Sequence, residues 1–236
     1  MDDIYGKNLY REKFPYSRSR EPISLIESLR RVRKDTMPGI IMEYKRMSPS
    51  GFENRSYPSV DEYFRKKISG NTAGLSILTE PDHFRGSYND IVVSQGFRLP
   101  ILDKDFISTE AMVDNAYNAG ADAILLIMDF IPADLIARLI GAAVGKGMEV
   151  LLEFHDLKYL KNLTPMEHVI YGYNRRNLKT LQMEPQERYV LDHMKQTGME
   201  IILESGIDSQ YLMKNDVGHY FGLLIGSSIL SDDILQ

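Results

Sequence analysis

Short apolar runs recur along the chain, each ending at or beside a polar or glycine position: GIIMEY (39–44), AGLSIL (73–78), LPIL (99–102), AILLIM (123–128), MEVLLE (148–153), VIYGYN (169–174), MEIILE (199–204) and GLLIGS (222–227). None shows the strict alternation of a half-exposed strand. Continuous apolar runs of this length mark strands buried on both faces, as in a parallel sheet covered by helices. Their ends fall about 26 residues apart on average, which leaves room for one strand and one crossover helix. Helix-like segments stand between several of them, at 59–68, 108–120, 133–147 and 186–198. Gly120, Gly147 and Gly198 suit helix C-caps, and Asp61 and Ser108 suit N-caps. Eight such units predict an α/β fold, a closed (β/α)8 TIM barrel over residues 39–236. An open doubly wound sheet is the alternative, but no G-x-G-x-x-G follows the first strand.

Residues 1–38 form an extension with a helix of its own. Ser24 and Glu27 make a capping-box pattern, and Ile26, Leu29 and Val32 follow along one face. Such a helix would either cover the barrel bottom or overhang its active face. At the other end only SSILSDDILQ follows Gly226, enough for a short turn and a fragment of an eighth helix. A shortened last helix leaves apolar barrel surface uncovered, which would favour association with a second copy or a pathway enzyme. The expectation is one domain over 1–236.

Composition narrows the chemistry. The chain has 236 residues, 43% hydrophobic and 26% charged, as an ordinary globular protein does. Its net charge of −5 gives no basic stripe for nucleic acid. The most apolar stretch, 123–144, is broken by Asp129, Pro132, Asp134 and Arg138, so it reads as a strand and a helix rather than a membrane span. The opening MDDIYGKNLYREKF lacks the apolar centre of a secretory signal. With no cysteine, a soluble cytoplasmic protein is expected, and disulfides, cysteine-ligated metals and thiol nucleophiles are excluded. The five histidines form no HxxxH or HExxH pair, so no metal site is expected.

In a barrel of this kind chemistry sits where the strands end. The polar residues there are Glu43 and Lys45, Thr79 and Glu80, Lys104, Glu153, Asn174 and Arg176, Glu204 and Ser205, and Gly226 with Ser227. A lysine near other cations, or partly desolvated, has its pKa lowered and serves as acid or base, while carboxylates beside it keep it charged or exchange protons with it. The set points to proton transfer on a carbonyl or enamine without a metal. Taken singly, each residue also suits a solvated loop charge, a salt-bridge partner or a turn. Gly206 after the seventh run, and Gly226 with Ser227 after the eighth, lie where barrels commonly hold phosphate. Phe84, Phe106 and Pro49 suit an apolar wall beside the cations.

The segment Glu43-Tyr44-Lys45-Arg46-Met47-Ser48-Pro49-Ser50-Gly51 resembles the signature of indole-3-glycerol-phosphate synthases. The resemblance continues through LSILTEPDHFRGS (75–87), PILDKDFI (100–107), AYNAGADAILLI (116–127), LLEFHD (151–156), NRRNLKTL (174–181), ESGI (204–207) and LIGSS (224–228). It implies a (β/α)8 barrel with an extra N-terminal helix, working in tryptophan biosynthesis without a cofactor. The implied reaction is ring closure, decarboxylation and dehydration of 1-(2-carboxyphenylamino)-1-deoxyribulose 5-phosphate, an anionic small molecule. By resemblance Lys104 is the general acid of ring closure, Lys45, Glu43 and Glu153 serve the dehydration, and Asn174, Glu204 and Ser205 support them. Ser48, Pro49, Phe84, Phe106, Leu125, Arg176 and Leu178 would hold the substrate, Arg176 near its acidic end or in a loop salt bridge. Gly206, Gly226 and Ser227 would cradle the phosphate. Two positions depart from the family pattern: Asp103 beside Lys104, where alternation turns it away from the lysine, and the bulky Tyr173.

Two other readings compete: a sugar-phosphate isomerase on a similar barrel, and a non-catalytic scaffold of the same pathway. The isomerase version built on an Asp/Cys pair fails for want of cysteine. A scaffold would be expected to have lost one of Lys45, Lys104 and Glu153.

Overall fold

The computed structural model describes residues 2–8, 12–15, 17–34, 37–49 and 51–226. Eight parallel strands close into a barrel in chain order: β1 (Gly39–Tyr44), β2 (Thr72–Leu78), β3 (Ile101–Lys104), β4 (Ala123–Ile127), β5 (Glu149–Phe154), β6 (Val169–Asn174), β7 (Ile201–Glu204) and β8 (Gly222–Ile225). Each predicted run overlaps one of them, although β3 starts two residues later than its run and ends two residues beyond it, and β8 pairs back onto β1 through Gly39–Gly222 to Met42–Ile225. Alternate residues sort into two cores. Ile41, Leu102, Leu125, Leu151, Ile170 and Leu224 fill the barrel interior. Ile40, Met42, Ile124, Leu126, Val150 and Leu203 pack outward under the helices. Both faces of every strand are therefore apolar, the physical reason the runs lack alternation.

The helices are α1 (Asp2–Lys7), α2 (Leu25–Val32), α3 (Val60–Lys67), α4 (Pro81–Phe84), α5 (Tyr88–Ser94), α6 (Glu110–Ala119), α7 (Ala133–Val144), α8 (Glu187–Thr197) and α9 (Ser209–Lys214). Gly120 and Gly198 cap α6 and α8 in left-handed conformation, as expected. Three cap assignments need correction. Ser59, not Asp61, precedes α3, and Asp61 instead pairs with Arg65 one turn on. Thr109, not Ser108, caps α6 by accepting from the Met112 N–H. α7 stops at Gly145, with Gly147 two residues beyond. Between β5 and β6 a 3₁₀-helix over Leu157–Asn162 replaces the expected α-helix. That interval is the shortest of the predicted ones, too short for a full crossover helix and its loops. The predicted turn and helix fragment after Gly226, and Ser227 itself, lie outside the described residues.

The N-terminal segment reaches both ends of the barrel. At the top, Lys7 of α1 pairs with Asp82 and Asn8 donates to Ser108. The chain then descends along α6, where Asn115 accepts from the Phe14 N–H and donates to the Glu12 carbonyl. Near the bottom Arg18 and Arg20 both hold the buried Asp122 at 2.6 Å. The helix that the capping box foretold, α2, then closes the barrel floor. Leu25 and Leu29 are fully buried there, against Gly74 and against Gly39 and Gly222. Of the two positions open to it in sequence, the structure selects the bottom. Ser24 accepts from the Glu27 N–H as predicted. The larger part of the cap comes from Glu149 at the foot of β5, which accepts from Ser24 Oγ and from the N–H groups of Leu25 and Ile26.

Candidate active site

The strands end in a ring of polar groups around one largely buried ammonium. Lys104 Nζ lies 2.9 Å from Glu153 Oε2 and 3.2 Å from Glu204 Oε2. Asn174 donates to Glu153 Oε1 at 2.9 Å, and Ser205 Oγ donates to Asn174 Oδ1 at 2.7 Å. The Arg176 N–H donates to the same Oδ1 at 2.9 Å. Lys45 pairs with Glu43 at 2.7 Å and sits 5.7 Å from the Phe52 ring centroid. Glu43, Glu153, Asn174 and Glu204 are all buried. β3, β5, β6 and β7 thus form one hydrogen-bonded cluster, with the Lys45–Glu43 pair of β1 beside it.

Burial sets the charges in opposite directions. Burial alone would discharge Lys104, but Glu153, Glu204 and Glu43 outweigh it and hold its pKa above the ordinary lysine value. The lowering expected for a desolvated lysine is therefore reversed, because its neighbours are carboxylates rather than cations. Burial likewise opposes the Glu43 carboxylate, yet Lys45 and Lys104 keep its pKa below the usual range. Burial pushes the Glu204 carboxyl well up; the pull of Lys104 resists and the nearby Glu153 adds to the rise. Neither Glu204 oxygen finds an aligned donor among the described residues. Two carboxyls of one site, driven apart in this way, are suited to different proton-transfer roles.

The raised Glu204 pKa makes a prediction about stability. A carboxyl whose pKa is raised by folding stabilises the fold below its unfolded value, and that stability is lost as pH climbs through the folded value. Glu204→Gln stays neutral throughout. Its stability relative to the parent should therefore grow with pH above the ordinary carboxylate range until Glu204 ionises. Urea unfolding of both proteins at pH 5 and pH 8 measures this. A difference that stays constant or shrinks toward pH 8 contradicts it.

Two adjoining cavities open above the cluster, of about 300 and 470 Å3. The first is lined by the predicted substrate-holding set: the apolar Pro49, Phe84, Phe106, Leu125 and Leu178 together with Ser48 and Arg176. Phe84 and Phe106 stand 6.2 Å apart between centroids. Glu80 takes the structural reading: its carboxylate accepts from three N–H groups of α4 and so fixes Phe84. Arg176 makes no salt bridge among the described residues; its guanidinium donates to the Leu181 carbonyl within its own loop. The second cavity is lined by Lys45, Glu204, Ser205, Gly206 and Gly226. Every residue to which the resemblance gave a role, except Ser227, which lies outside the described residues, meets at this mouth; Thr79 and Glu80 line neither cavity. A cavity of about 660 Å3 at the opposite end, beside Ser24 and Glu149, also holds a cation between two carboxylates, Arg30 with Glu27 and Glu200, but all three side chains are exposed.

Both departures from the family pattern lie outside the mouth. Asp103 pairs in register with Ile77 of the outer core and accepts from Thr79 Oγ1 at 2.6 Å. Tyr173 packs against Phe154 outside the barrel, and its hydroxyl accepts from the Gln186 N–H.

Several neighbours escaped the sequence. Tyr5 of α1 stacks on Phe130 and meets Phe106 edge-on, both at 5.8 Å. His83 and Phe52 line the first cavity. In the middle of β6, a Cβ on Gly172 would collide with Glu204 Oε1, so its missing side chain is the space the carboxylate occupies. A lone glycine inside an apolar run was the available signal, since it marks a close approach.

A family model described as indole-3-glycerol phosphate synthase matches residues 7–236. The chain belongs to the indole-3-glycerol phosphate synthase family. Members of this family are decarboxylating lyases of tryptophan biosynthesis. An indole-3-glycerol phosphate synthase from Picrophilus torridus is 43% identical over 234 residues, covering 99% of this chain and 92% of its own. One from Thermoplasma volcanium is 42% identical over 98% of this chain and 94% of its own. A solved structure of KGPDC from Streptococcus mutans superposes with a TM-score of 0.58 at 11% identity, over 84% of this chain and 91% of that one. At that identity it speaks for the barrel alone. No helix among the described residues is long and apolar enough to cross a membrane.

Proposed function

We propose that this mouth closes the indole ring on 1-(2-carboxyphenylamino)-1-deoxyribulose 5-phosphate. The observation that carries the reading is the charged Lys104, fixed between Glu153 and Glu204, with an aromatic cavity on one side and a glycine-bordered one on the other. The aryl ring lies against Phe84, Phe106, Pro49, Leu125 and Leu178. The sugar phosphate lies over Gly206 and Gly226, near Lys45. The ring carbon bearing the carboxylate then faces the C2′ carbonyl beside Lys104.

The bond forms as that carbon's π electrons add to C2′, and Lys104 gives its proton to the carbonyl oxygen, leaving a C2′ hydroxyl. Carbon dioxide departs, and the electrons of its bond return to the ring. The hydroxyl then leaves as water, needing a proton on oxygen and a base for the proton released as the indole double bond forms. Lys45 with Glu43, on β1, and Glu153, on the diametrically opposite β5, supply that acid and base. A buried, pre-aligned donor at the developing alkoxide stabilises the transition state more than solvent does. The working compartment is the cytoplasm, and one barrel holds the whole site.

Incubating the folded recombinant protein with this substrate should produce indole absorbance and fluorescence at a rate proportional to enzyme. No product above background from a folded sample overturns the reading.

A further inference from the structure

Arg175 follows Asn174 at the end of β6, so its side chain leaves on the other side of the strand, away from the mouth. It is buried in the seam between the barrel, α8 and α9. Its Nη1 donates to two consecutive carbonyls, those of Ser205 at 3.2 Å and Gly206 at 3.0 Å. Its Nε stands 2.6 Å from Glu187 Oε1, and its guanidinium carbon lies 4.1 Å from the Tyr211 ring centroid. Tyr211 in turn donates its hydroxyl to Glu187. A buried cation is thus held from behind by a carboxylate and an aromatic face while one terminal nitrogen, Nη1, bridges two carbonyls of a loop in front.

The gripped loop is an unusual one. Ser205 and Gly206 both have positive φ, 69° and 62°, and a serine enters that region only when its surroundings hold it there. The peptides are trans, so the carbonyl of each plane points opposite to the N–H of the next residue. Pinning the Ser205 and Gly206 carbonyls to Arg175 therefore turns the N–H groups of Gly206 and Ile207 the other way. That side is the cavity lined by Lys45, Gly206, Ile207 and Gly226.

We propose that Arg175 is the positioning residue of the phosphate subsite: without touching the ligand, it sets the direction of the Gly206 amide that receives a phosphate oxygen. This rests on the reading above, that the loops after β7 and β8 hold the substrate's phosphate. A dipole aimed in advance adds affinity because binding no longer has to order it. A lysine in its place offers one nitrogen where arginine offers two, so it cannot keep the Glu187 contact and the two carbonyls together.

The test compares the parent with Arg175→Met and Arg175→Lys. Folding is checked by circular dichroism, and steady-state kinetics are run with and without inorganic phosphate as a competing anion. For Arg175→Met, KM and the phosphate inhibition constant should rise together by about tenfold or more, with kcat within about threefold, the pattern of a lost uniform binding contribution. Arg175→Lys should fall between, at about threefold. A folded methionine variant whose KM and phosphate constant stay within twofold overturns the proposal. So does one that loses kcat or thermal stability alone, as a merely structural role would have it. Should the methionine variant not fold, the lysine variant decides on the same two constants, and unchanged values overturn the proposal.

Gly226→Ala tests the underlying subsite, since its Cβ would stand 2.5 Å from Glu43 Oε1 and 3.3 Å from Lys45 Nζ. Phosphate inhibition weakened by Gly226→Ala but not by Arg175→Met leaves the subsite standing and removes the role of Arg175. Parent enzyme that phosphate does not inhibit competitively removes the subsite, and the proposal with it.

Discussion

Lys104→Met should lower kcat by about a thousandfold or more while KM changes by less than about tenfold, because the lost group is a proton donor used only in the transition state. Methionine is close to lysine in length and fills the same channel without a proton to give. Lys104→Arg separates charge from proton transfer. It keeps a cation between Glu153 and Glu204, but a guanidinium does not release its proton in a protein and is too broad for the site. It should be nearly as inactive as the methionine variant. Single-turnover assays with excess enzyme measure the chemical step directly. A methionine variant within about tenfold of the parent rate would remove Lys104 from the role of acid. The same substitution leaves Glu43, Glu153 and Glu204 without the charge that draws them together. Its stability deficit should therefore widen as pH rises and the carboxyls ionise.

The largest effect on stability is expected at the other end of the barrel. Glu149 is buried and accepts from Ser24 Oγ at 2.5 Å, the Leu25 N–H at 2.7 Å and the Ile26 N–H at 3.0 Å. Glu149→Ala strands two N–H groups at the buried start of α2 and loosens Leu25 and Leu29 above them. Hydrogen bonds to a charged group contribute about 1.5–3 kcal/mol each, and they do not add fully. A loss of about 3 kcal/mol is expected, lowering Tm by about 6–12 °C in a domain of this size. Turnover at 25 °C should stay within about twofold of the parent, since Glu149 stands at the foot of β5 and the chemistry at its top. Thermal unfolding by circular dichroism, paired with kcat at 25 °C, tests both statements. An unchanged Tm denies that Glu149 caps the helix, and a large fall in kcat without a fall in Tm denies that the two ends are independent.

The strands were legible because both their faces are buried, so each wrote a continuous apolar run. The Lys and Glu residues were legible through position: the ends of different strands meet in a barrel wherever they lie in sequence. Short elements were not. α4, α5, α9 and the 3₁₀-helix over Leu157–Asn162 have too few turns to show a period. Arg175 was hidden for another reason. Its partners Glu187 and Tyr211 lie on two later helices, and nothing in NRRNLKTL distinguishes an arginine turned outward from one turned into the mouth. Tyr5 was hidden because α1 crosses the rim beside strands more than 90 residues away in sequence.

Gly172 and Glu204 also constrain how this sequence can change over generations. The carboxylate occupies the volume a methyl group on residue 172 would need. Alanine at 172 is therefore harmful while the glutamate stands and much less so once it has been shortened, when Leu151 Cδ1 at 3.0 Å is the neighbour left to give way. After that order of events the glutamate cannot return, because its place is filled. The two codons form a ratchet: a lineage that abandons this chemistry and drifts at position 172 loses the way back by a single substitution.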